Sequence, residues 1–96
     1  MNNRQILRYA LDGIYNQIKR LEKEVRIING AIYQIDNNLV VKGRYRGCTY
    51  ISLTKTKKEL TEGLKELKKE YNELVYDIKQ KNIYIVYRGL EDIEQV

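Results

Sequence analysis

Residues 7–28, LRYALDGIYNQIKRLEKEVRII, carry Leu7, Leu11, Ile14, Ile18, Leu21, Val25 and Ile28 at alternating spacings of four and three. Placing Leu11, Ile18 and Val25 at heptad position a leaves Leu7, Ile14, Leu21 and Ile28 at d. The flanking residues are largely polar: Asp12, Asn16, Gln17, Lys19, Arg20, Lys23 and Glu24. A narrow apolar stripe of period 3.5 predicts coiled-coil packing, not a helix half sunk in a globule. Asn29-Gly30 reads as a stop, since both residues tolerate the left-handed conformation that ends helices. The first helix is expected over about residues 3–29. Ile32, Ile35 and Leu39 continue the register and permit a longer one.

A second stripe, Leu60, Leu64, Leu67, Tyr71, Leu74 and Ile78, repeats the four-three spacing. Thr56-Lys57-Lys58-Glu59 ahead of it has the form of a capping box. Glu62, Lys65, Glu66, Lys69, Glu73 and Lys79 give a mixed-sign solvated face. This helix is expected over about residues 55–81.

The stretch between the stripes changes character. Asp36-Asn37-Asn38 is turn chemistry. Leu39-Val40-Val41 and Cys48-Thr49-Tyr50-Ile51-Ser52-Leu53 are β-branched and aromatic, and glycines 43 and 47 lie between them. Two such runs predict a β-hairpin within residues 31–54, with either glycine at its turn. Beyond the second helix, Ile83-Tyr84-Ile85-Val86-Tyr87 reads as a strand, followed by an acidic tail over residues 90–96.

The expected fold class is α+β, mainly α: one domain over residues 1–96. It is an antiparallel two-helix coiled-coil hairpin with a β-hairpin connection and a C-terminal strand. In outline this layout resembles the beta-class prefoldin subunits. Ninety-six residues bury only about two-thirds of their unfolded surface, so the core is thin. An apolar terminal strand must also find a pairing edge. Both points predict a homodimer, as a four-helix assembly with small β caps. Gly13 and Gly63 each cost their helix about 1 kcal/mol relative to alanine, for close approach of a partner helix or through plain tolerance.

Composition excludes more than it assigns. The chain has no His, Trp, Phe or Pro, nine Tyr and a single cysteine, Cys48. Without histidine the commonest general base and zinc ligand are missing, and Cys48 and Ser52 lack a base to activate them. No phosphate-binding loop, dinucleotide fingerprint or metal-ligand spacing is present, so no enzyme activity, cofactor or metal site is expected. Glu91, Asp92 and Glu94 read as a solubilising tail. No apolar run approaches the roughly 18 residues of a membrane span, and no signal-peptide core leads the chain. A cytoplasmic location without membrane contact is expected, consistent with one unpaired cysteine. Richness in Ile, Lys, Asn and Tyr is a usage common in AT-rich viral and mobile-element genomes.

The sharpest candidate contact site is the basic segment Lys42, Arg44, Arg46, Lys55, Lys57 and Lys58, interleaved with Tyr45 and Tyr50. Lysine and arginine neutralise phosphates and tyrosine rings stack on bases, so nucleic acid is one expected partner. The blander reading is a solvated loop tip. Lys19, Arg20, Lys23 and Arg26 form a second basic group on the first helix, whose blander reading is an ordinary solvated face. The strand at 83–87, bracketed by Lys81 and Arg88, either adds to a partner's sheet edge or completes the protein's own sheet. Three functions fit: a regulatory or adaptor protein binding a protein partner, a nucleic-acid binder, and an inhibitor of a host defence or nuclease complex.

Overall fold

The computed structural model describes residues 3–81. They form two α-helices, α1 (Asn3–Asp36) and α2 (Tyr50–Gln80), packed antiparallel into a rod of 54 × 20 × 19 Å. The helical hairpin stands. The β-hairpin does not: there is no strand among the described residues, and the fold here is all α. The strand expected at 83–87 and the acidic tail lie outside the described residues.

α1 passes straight through Asn29-Gly30. Gly30 is exposed, and a β-carbon there would meet nothing within 4 Å, so no tertiary contact demands a break at this point. Ile32 and Ile35 are half-buried and continue the stripe, and their burial carries the helix to Asp36. Asn38 then adopts φ +57°, the Leu39 amide donates to the Gln34 carbonyl at 2.7 Å, and the Asn38 amide donates to the Ile35 carbonyl at 3.1 Å. This pair of bonds is a Schellman closure with asparagine in the left-handed position.

α2 begins at Tyr50, five residues before the expected start at about residue 55. Thr49 is the N-cap, its Oγ1 accepting from the Ser52 amide at 3.1 Å. Thr56 sits inside the helix and its hydroxyl donates to the Ser52 carbonyl at 3.0 Å. Leu53 explains the early start. It stands one heptad before Leu60, is fully buried, and packs with Ile28, Ala31 and Val41. As a strand, residues 48–53 would forfeit that contact.

Between the helices, Gly43–Tyr45 makes one 3₁₀ turn, with Gly43 and Gly47 both at positive φ (+84° and +80°). These are conformations that side chains with a β-carbon rarely adopt. The connection lays Val41 over the helix end and half-buries Tyr45 and Cys48.

Along the rod, the a positions are buried on both helices: Leu11, Ile18 and Val25 facing Leu64, Tyr71 and Ile78. On α1 the seam leans away from d, since Tyr15 and Glu22 at e are buried while Leu7, Ile14 and Leu21 at d are only half-covered. In an antiparallel pair the d rows of both helices fall on one side of the seam and the e and b rows on the other. Gly63, just outside the d row of α2, fits that placement: a β-carbon on it would stand 3.8 Å from Leu21 Cδ1. That is ordinary contact, so close helix approach does not require Gly63.

Candidate interaction surfaces

At the loop end the sequence-predicted residues separate into two kinds. Arg44 and Tyr45 are fastened to α1. Arg44 Nη1 donates to Glu24 Oε1, and the Tyr45 hydroxyl donates to Glu24 Oε2 at 3.1 Å. One carboxylate thus clamps two adjacent loop residues across the connection. Lys42, Arg46 and Tyr50 are exposed. Around them four apolar side chains stand in water: Leu39, Val40 at 74% exposure, Tyr50, and Ile51 at 80%. Sequence reading missed this feature because it placed Val40 and Ile51 in strands. They are instead surface residues on a loop and on the first turn of α2.

The clamp has an electrostatic signature. The hydrogen bond from Arg44 holds the Glu24 carboxyl below the usual carboxylate range, helped by Tyr45 and by the charge of Lys23 and opposed by partial desolvation. Burial, then the bond to Glu24, pushes the Tyr45 phenol up. Because the folded value of Glu24 is the lower one, its contribution is full above the unfolded carboxylate value of about 4.3 and is lost as pH falls through the depressed folded value. Wild-type protein should therefore be more stable than Glu24→Gln near neutrality, with the gap shrinking below about pH 4. Urea unfolding at stepped pH measures this. A gap independent of pH would show that the carboxylate's charge plays no part.

The helical lysines and arginines divide by face. Lys19 and Arg26 of α1 lie at b and Lys23 at f. Lys58 and Lys65 of α2 also lie at b, on the same side of the rod. Lys57 occupies an a position and is half-buried, Lys55 lies at f on the outer back of its helix as Lys23 does on α1, and Arg20 lies at c on the opposite flank. The secondary basic group is therefore split: Lys19 and Arg26 join Lys58, whereas Lys23 and Arg20 do not. Lys19 Nζ stands 5.7 Å from the Tyr15 ring centroid and 3.9 Å from Glu22 Oε1. Glu22 itself is 3% exposed, and neither carboxylate oxygen accepts a hydrogen bond.

Among the described residues there is no group of three or more His, Cys, Asp or Glu that could hold a metal ion. No described helix is long and apolar enough to cross a membrane. No protein-family model, curated protein or solved structure matches this chain.

Proposed function

We propose that this protein is a non-enzymatic adaptor whose loop end docks into an apolar groove of another protein. The observation that supports this reading is the group Leu39, Val40, Tyr50 and Ile51, held out in solvent. A segment that leaves four large apolar side chains exposed beside a loop anchored by the Glu24 clamp is preorganised for burial against a partner. Lys42 and Arg46 at the same end suit a groove with an acidic rim. The test is affinity capture from native cells with wild-type bait beside Val40→Asp/Ile51→Asp. Both side chains are solvated, so the variant should keep wild-type helical circular dichroism. A protein held by wild type and lost by the variant supports the reading, and identical capture by both overturns it.

The adaptor is proposed to be a homodimer through the half-covered d side, where Leu7, Ile14 and Leu21 lie beside Leu60, Leu67 and Leu74. Spread along a rod 54 Å long and 20 Å wide, that side offers an area on the order of 1,000 Å² per protomer. Stable interfaces use about 800 Å² per partner. Two rows of leucine are self-complementary under a twofold axis. A monomer in sedimentation equilibrium at tens of micromolar would remove the dimer and leave the loop-end reading intact.

A further inference from the structure

We propose that the flank of the rod carrying Lys19, Arg26, Lys58 and Lys65 binds the phosphodiester backbone of nucleic acid, without reading base sequence. This site is on a different surface from the loop end and does not depend on it.

The inference starts from how charge is sorted. On α2, Lys58, Lys65 and Lys79 occupy b and Lys68 occupies e, whereas Glu59, Glu66 and Glu73 occupy c and Glu70 and Asp77 occupy g. The b and e rows of α2 are thus basic and the c and g rows acidic, with the seam between them on the inner side and a mixed f row of Lys55, Glu62 and Lys69 on the outer side. The antiparallel register then aligns the cations of both helices. Leu21 opposite Gly63 sets Lys19 across from Lys65 and Arg26 across from Lys58. Seven residues along each helix, and one helix spacing between them, place these four cations at corners on the order of 10 Å apart.

Like charges arranged this way repel one another, and an external anion lying over them relieves that repulsion. Two carboxylates share the stretch. Glu22 is buried beneath it, and Glu62 stands at the outer edge of α2, beside Lys58 and Lys65 in a shallow open depression also lined by Thr54, Lys57 and Thr61. Among the described residues, Lys58 and Lys65 enter no ion pair. The Thr54 and Thr61 hydroxyls donate to the Ile51 and Lys57 carbonyls, so the groups of the depression able to meet an anion are the lysine ammoniums. A rigid grid of cations is suited to a regularly spaced polyanion, and phosphate contacts of this kind supply affinity without sequence specificity.

The experiment uses the full chain and fluorescently labelled random-sequence duplex DNA, duplex RNA and their single strands. Anionic phosphatidylserine vesicles serve as a competing polyanionic surface. The expected result is binding to at least one nucleic acid, with log K falling against log salt at a slope between about −2.8 and −3.6 for four cations. Lys58→Gln/Lys65→Gln should weaken binding by about tenfold or more at low salt and reduce the slope by about two. Arg20→Gln/Lys55→Gln removes the same net charge from outside that flank and should change affinity by less than about threefold. Preference for duplex or single strand identifies which form the grid fits. Failure to bind any of the four, equal weakening by both double variants, or equally tight binding to vesicles overturns the proposal.

Discussion

Leu64→Ala should lower the unfolding free energy by about 3 kcal/mol, within the range seen when a fully buried leucine is truncated in a packed core. Leu64 has no exposed surface, and it belongs to the cluster of Leu11, Tyr15, Ile18, Val25, Tyr71 and Ile78. Those neighbours come from two long helices whose backbones are fixed by their own hydrogen bonds, so the space left by the side chain has little to collapse into it. A chain of this length has a total stability of roughly 5–15 kcal/mol, and a hairpin with one seam belongs at the low end. The loss is therefore a large share of what holds the rod together. Urea unfolding monitored by helical circular dichroism, with the m-value unchanged, is the measurement. Leu67→Ala makes the informative comparison. Leu67 is only half-covered, so within one protomer its truncation should cost less than that of Leu64. If the d side closes on a second copy, the Leu67 penalty should grow with protein concentration, since association stabilises only the folded form. A Leu64→Ala variant within about 1 kcal/mol of wild type would mean that this residue is not central to the core.

The two stripes were legible because nothing else explains seven apolar residues at unbroken four-three spacing. What misled was the interruption of the second stripe. Lys57 occupies the a position between Leu53 and Leu60, so the apolar repeat appears to begin at Leu60 and the five residues before Lys55 look detached from it. Tyr50, Ile51 and Leu53 have strand-like side chains, and local preference favoured β structure. The burial of Leu53 against Ile28 and Val41 overrode that preference. Asn29-Gly30 misled for a related reason. A glycine on an exposed helix position costs a fraction of what burying Ile32 and Ile35 returns, so the stop signal lost to packing.

The candidate sites were less legible. Composition pointed to basic residues around the loop, yet it cannot show that Arg44 is already committed to Glu24, twenty positions away. Lys65, which completes the basic grid, looked like one member of a mixed-sign face until the register of the two helices was known. Sorting each charge by heptad position would have shown that Lys58, Lys65 and Lys79 share b and that Glu59, Glu66 and Glu73 share c along α2.

Glu22→Met should raise stability by about 1–3 kcal/mol, the penalty carried by a buried polar group that accepts no hydrogen bond. Glu22 is more deeply buried than Leu7, Leu21, Leu60, Leu67 or Leu74, at 3% exposure, and neither oxygen accepts a hydrogen bond. Lys19 Nζ at 3.9 Å is within ion-pair reach but beyond hydrogen-bonding distance, and its side chain is 39% exposed, so solvent weakens the attraction. A carboxylate in that position loses its hydration and gains little in return. Methionine fills a comparable volume with an unbranched chain that adapts to the gap between the helices. Glu22→Gln separates charge from polarity: it should recover only part of the gain, because the amide still lacks hydrogen-bond partners. Both variants also remove the anion beneath Lys19, Arg26, Lys58 and Lys65, whose charge would oppose an external anion on that flank. Glu22→Gln should therefore bind nucleic acid more tightly than wild type while gaining less stability than Glu22→Met. Thermal unfolding and the nucleic-acid titration on the same two variants distinguish the effects, and a Glu22→Met protein less stable than wild type would show that the carboxylate is satisfied where it lies.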